Sequence, residues 1–135
     1  GDPWRIGIQD PEGEDYAAVV EVTDQAVVTS GAYERYFEQD GVRYGHIIDP
    51  STGYPADSGL ASVTIVSPSG TLADALSTAL FVMGPDRAAE YWRGRDDFDF
   101  ILIGKDGSIT ISEGIEDSFS FSGEQGSVAF EVVRR

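Results

Sequence analysis

The sequence contains no cysteine. Disulfides, thiolate metal centres and cysteine nucleophiles are therefore excluded, although no compartment follows from that. Histidine is nearly absent too: His46 is the only one in 135 residues. Basic residues are scarce, with 9 Lys and Arg against 24 Asp and Glu and a formal net charge of −15. A field of that sign repels phosphate backbones, so nucleic acid is not expected as a partner. The acidity accounts for solubility, or for attraction of divalent cations; diffuse charge does not separate the two. No apolar run reaches the ~18 residues of a membrane-spanning helix. No signal-peptide pattern is visible, and a start without Met fits a processed or trimmed chain. Phosphate-binding loop, dinucleotide fingerprint, zinc-protease helix and nucleophile elbow are all missing. One histidine and no elbow serine leave no basis for a serine triad. Selecting two carboxylates out of 24 as a glycosidase pair would be arbitrary.

What is present is ordinary for a globular chain: 41% of residues are hydrophobic. The length suits one domain with a buried core, and no linker, repeat or low-complexity tract divides it. Residues 4–8 read as a strand ending at Pro11, and 17–23 as a second strand rich in β-branched side chains. Asp24-Gln25 makes a turn before a strand from Ala26 to Thr29, which ends at Ser30-Gly31. Residues 33–48 alternate like a hairpin across Asp40-Gly41. Turn formers fill 49–55, and Leu60–Ser67 is a strong strand. Capped by Ser69 or Thr71, the run Leu72–Met83 has helical spacing and stops at Gly84. Pro85 opens a second helix to about Trp92. Phe98–Ile103 and Ser108–Ser112 form a hairpin, residues 113–126 are polar, and Val128–Val133 closes the chain as a strand. Runs of strands around two helices predict an α+β domain with a mixed or antiparallel sheet. A sheet that begins mid-structure is expected to expose an edge and an apolar face.

Three segments are candidates for chemistry. In Ala73-Asp74-Ala75-Leu76-Ser77-Thr78-Ala79, Asp74 and Thr78 lie four apart on a helix, which places their Cβ atoms about 5–6 Å apart on one face. A carboxylate and a hydroxyl are hard oxygen ligands of the kind Mg²⁺ takes, with waters and phosphates completing the shell. The alternatives are that Asp74 answers the helix dipole and that Thr78 bonds back into its own helix. In the second segment, His46 ends a strand before Asp49-Pro50-Ser51-Thr52-Gly53. A histidine there either shuttles protons or merely satisfies a backbone partner. In the third, Ser30-Gly31 allows close approach of backbone N–H groups to a ligand, and Arg35 pairs with a phosphate or with Glu34 or Glu38.

Together, Trp4-Arg5-Ile6-Gly7-Ile8-Gln9-Asp10-Pro11, Thr29-Ser30-Gly31-Ala32-Tyr33-Glu34-Arg35, His46-Ile47-Ile48-Asp49-Pro50-Ser51-Thr52-Gly53 and the Ala73–Ala79 segment occur in an order that resembles the ApbE family of FAD:protein FMN transferases. The resemblance runs the length of the chain but corresponds to a C-terminal half with a T-fold-like architecture. It implies a Mg²⁺-dependent enzyme that cleaves FAD and joins FMN by a phosphoester to Thr or Ser of a target protein, such as an electron-transport complex subunit. It implies metal ligation by Asp74 and Thr78, and proton removal from the acceptor hydroxyl by His46. Ser30, Gly31, Asp49, Thr52 and Gly53 are expected to line the nucleotide cleft. The glycine-rich flavin-binding half is expected to be missing, so this chain should not transfer FMN by itself. The parent is expected to be exported, periplasmic or at the cell surface, and lipid-anchored. Other readings are a module that binds FAD, one that hydrolyses its pyrophosphate, or a self-associating sheet edge.

Overall fold

A computed structural model describes residues 4–9, 16–31, 36–39, 42–45, 59–121 and 129–134. The strands are β1 (Trp4–Gln9), β2 (Tyr16–Val22), β3 (Ala26–Gly31), β4 (Tyr36–Gln39), β5 (Val42–Gly45) and β6 (Leu60–Ser67). Helices α1 (Gly70–Met83) and α2 (Pro85–Arg93) follow. Strands β7 (Asp99–Gly104) and β8 (Ile109–Ser112), a 3-10 helix (Glu113–Ser118), β9 (Phe119–Phe121) and β10 (Phe130–Val133) complete the described chain.

The architecture is α+β. A five-stranded sheet in the order β10-β8-β7-β6-β3 carries it, beside a three-stranded sheet β1-β2-β9 and the β4-β5 hairpin. Among the described strands every pairing is antiparallel except β10 with β8. Alternation along the strands sends side chains to both faces of the larger sheet, and both are covered. One face joins Val63, Ile65, Phe100 and Leu102 to Leu76 and Leu80 of α1 and Trp92 of α2. The other joins Val66, Ile101, Ile103, Ile109 and Ile111 to Ile8, Ala18, Val20 and Val22 of the small sheet. The molecule is thus layered as helices, sheet, sheet. Strand β6 lies in the middle layer, buried along almost its whole length.

Local signals explain the boundaries. Of the two candidate caps, Ser69 is the one used: its side chain accepts from the Leu72 N–H at 3.2 Å. Gly84 stops α1 at φ 84°, a left-handed conformation open to glycine, and its N–H bonds the Leu80 carbonyl. Pro85 then starts α2 with φ already set. Alpha-1 runs alongside β3, with Ala26 Cβ 3.7 Å from the Cβ position of Gly70 at one end.

Two expectations need correction. The polar stretch 113–126 contains the 3-10 helix and β9, which adds to β2 as a third strand of the small sheet. Three residues, Phe119-Ser120-Phe121, are too short to announce a strand by alternation. An apolar face left open is not found either: among the described residues the one exposed large hydrophobic side chain is Phe130, stacked on Phe119. The Asp40-Gly41 turn, the 49–55 loop and Arg35 lie outside the described residues.

Trp92 is fully buried, meets Phe100 edge-on and donates from Nε1 to the Phe98 carbonyl at 3.0 Å. Trp92→Ala should cost about 3–5 kcal/mol, read as a lower urea midpoint.

Candidate functional site

Helix α1 presents Ala73, Leu76, Ser77, Leu80 and Phe81 to the core. Four of these are apolar at helical spacing, and Ser77 is the exception. On β3, Ala26 and Val28 pack into the same core, and alternation brings Ser30 to that face next. The two serines meet: Ser30 Oγ lies 2.6 Å from Ser77 Oγ, and both residues are wholly buried. Ser77 also donates to the Asp74 carbonyl at 2.9 Å. Thr78 Oγ1, half-buried one position further along, approaches Ser30 Oγ at 3.5 Å. Asp74 sits one turn earlier, exposed. The Thr29-Ser30-Gly31 and Ala73–Ala79 segments therefore converge where β3 ends on α1.

This geometry bears on the ordinary explanations of the Asp74–Thr78 pair. Alpha-1 begins at Gly70 and has no acidic residue in its first turn, so Asp74 stands beyond the reach of the helix terminus. The back-bond into the helix is made by Ser77. Sequence reasoning passed over Ser77; the available signal was a lone hydroxyl on an otherwise apolar helix stripe.

The opposite face of β3 and β6 is also hydroxyl-bearing. Thr29 and Thr64 share a 2.8 Å hydrogen bond. Gly31, buried, pairs in register with Ser62. Among the described residues Ser62 Oγ is buried with no hydrogen-bond partner. His46, Asp49, Thr52 and Gly53 lie outside the described residues.

Among the described residues no three acidic or histidine side chains form a metal-binding group. An exposed carboxylate, Asp74, and a half-buried hydroxyl, Thr78, one turn apart on α1, are donors of the kind that suit a hard cation keeping much of its water. Shifted ionisations lie elsewhere. The side-chain bond from Arg95 holds Asp97 below the usual carboxylate range, and the Ser108 hydroxyl does the same for Asp106. Two clefts also lie elsewhere. One, of about 360 Å³, is bordered by Glu90, Arg93 and Glu131, and another, of about 200 Å³, by Glu21, Asp99 and Ser118.

The ApbE family model matches residues 1–102. The chain belongs to the ApbE family. It is 50% identical over 116 residues to the FAD:protein FMN transferase of Treponema pallidum (strain Nichols), covering 84% of this chain and 32% of that one. It is 43% identical over 109 residues to the enzyme of the same name from Escherichia coli (strain K12), covering 79% and 31%. The crystal structure of the ApbE protein from Thermotoga maritima superposes with a TM-score of 0.78 at 45% identity, covering 87% of this chain and 38% of that one. The apo flavinyl transferase ApbE of Pseudomonas stutzeri gives 0.66 at 35% identity, covering 91% and 39%. This ApbE chain spans about a third of the length of the curated relatives it matches.

Because the Ser62 hydroxyl is buried and unpaired, Ser62→Ala should leave stability unchanged or raise it by about 1 kcal/mol in chemical denaturation. Ser77→Ala, which removes a satisfied buried hydroxyl from between two partners, should lower it by about 1–3 kcal/mol.

Proposed function

We propose that this chain supplies the cation-holding side of a Mg²⁺-dependent FAD:protein FMN transferase. The observation that supports the reading above all is the approach of Thr78 to Ser30 at the junction of α1 and β3, with Asp74 exposed one helical turn before Thr78. Asp74 and Thr78 hold the ion. When bound, Mg²⁺ neutralises charge on the pyrophosphate oxygens as a Lewis acid. The flavin transferases of Treponema and Escherichia that the chain resembles support FAD as the substrate.

The remaining steps fall to the chain's own side chains. Gly31, Asp49, Thr52 and Gly53 line the cleft for the nucleotide, while the wholly buried Ser30 faces α1 instead. His46 accepts the proton of a Thr or Ser hydroxyl on the acceptor protein. That oxygen bonds to the flavin-side phosphorus, the pyrophosphate bond breaks, and AMP leaves. The acceptor is a protein subunit of an electron-transport complex, and the parent is an exported, lipid-anchored protein of the periplasm or cell surface. Catalysis needs a glycine-rich flavin-binding half as well.

The test joins this chain to the flavin-binding half of a relative and follows fluorescent FMN on the acceptor together with AMP release. Asp74→Ala should slow transfer by at least about 100-fold, the equivalent of a few kcal/mol of lost charge stabilisation. A wild-type rate in that variant removes the metal role. Release of AMP with no protein-bound FMN identifies a pyrophosphatase instead, and neither product identifies a flavin-binding module.

A further inference from the structure

A carbonyl oxygen only accepts, so the 2.9 Å contact of Ser77 Oγ with the Asp74 carbonyl consumes the single hydrogen of the Ser77 hydroxyl. In the 2.6 Å contact between Ser77 and Ser30, Ser30 must then be the donor. With its own hydrogen committed, Ser30 meets Thr78 at 3.5 Å as the acceptor. The three hydroxyls therefore run in one direction, from Thr78 to Ser30 to Ser77 to the Asp74 backbone. No solvent reaches Ser30 or Ser77 to reverse the order, because both are wholly buried.

A hydroxyl binds a cation through a lone pair, and its hydrogen must point elsewhere. The direction of the relay draws the Thr78 hydrogen toward β3 and leaves its lone pairs for a ligand. We infer that Ser30 and Ser77 are positioning residues, which hold the Thr78 hydroxyl in its cation-accepting orientation from across the β3–α1 interface. This rests on the metal reading of Asp74 and Thr78 and extends it to two residues that would not touch the ion. Ser30 thereby acts on the cation rather than on the nucleotide. Reversing the relay has a definite consequence. Without the Ser77 hydroxyl, the Ser30 hydrogen is released to turn toward Thr78 and compete with a cation for the same lone pair.

The experiment measures Mn²⁺ binding to the chain by electron paramagnetic resonance, with Mg²⁺ as competitor, and the melting midpoint of each variant without metal. Ser30→Ala and Ser77→Ala should each weaken Mn²⁺ binding by about tenfold, the lower end of what loss of an outer-shell partner costs. In the Thr78→Ala background, Ser30→Ala should change affinity no further, while its effect on the melting midpoint persists and adds. If Ser30→Ala does not fold, Ser30→Cys keeps the size and weakens the donor, and should move affinity the same way. Parental affinity in the folded Ser30 and Ser77 variants, with Asp74→Asn and Thr78→Ala impaired, overturns this inference alone. So does a Ser30→Ala loss that survives in the Thr78→Ala background. Absence of saturable Mn²⁺ binding by the parent, or binding indifferent to Asp74→Asn and Thr78→Ala, overturns the metal reading and this inference with it.

Discussion

Ser30 and Ser77 face each other inside a core that is otherwise apolar on that side, and the site depends on their meeting. A buried hydroxyl without a partner costs about 1–3 kcal/mol, so two of them in one interface constrain how strand and helix slide past one another. The register that brings Oγ to Oγ gives Ser30 its buried partner, while Ser77 also holds the Asp74 carbonyl of its own helix. That register is also the one that carries Thr78 to the end of β3 and leaves Asp74 one turn back on the solvent side. A contact that serves packing thus sets the placement of the groups proposed to hold the ion.

The layers around this contact give it rigidity. Strand β6 pairs with β3 on one side and β7 on the other, and its side chains fill cores on both faces. Alpha-1 is pressed against β3 and β6 by Leu76 and Leu80, each of which contributes about 1.5–3 kcal/mol by leaving water. Displacing α1 would uncover that surface. A carboxylate mounted on such a helix keeps its position relative to the strand end better than one on a loop.

Surface charge complements the arrangement without creating it. The net charge of −15 belongs to the whole chain, while the ion pairs Arg5 with Glu21, Arg95 with Asp97, and Arg134 with Glu113 and Glu116 include no residue of β3 or α1. Such a field draws divalent cations toward the surface, but selectivity belongs to the oxygen donors proposed to hold the ion.

Much of the fold was legible in the residues themselves. Beta-branched runs marked β2, β3 and β6, while Ser69, Gly84 and Pro85 punctuated the helices, because caps, glycine and proline act within a few residues of chain. The four motifs, by their order alone, pointed to the ApbE family, and the comparisons bear that out. What the sequence by itself determined was thus local: element type, helix ends, and the placing of Asp74 and Thr78 on one helical face. Tertiary structure decided the rest. Beta-9 exists only because β2 offers it a partner, and β10 lies parallel to β8 through contacts distant in the chain. The role of Ser77 emerged only when β3 was laid against α1. Hydrogen-bond partners 47 residues apart leave no local signature, since their pairing is fixed by the cost of burying hydroxyls unpaired.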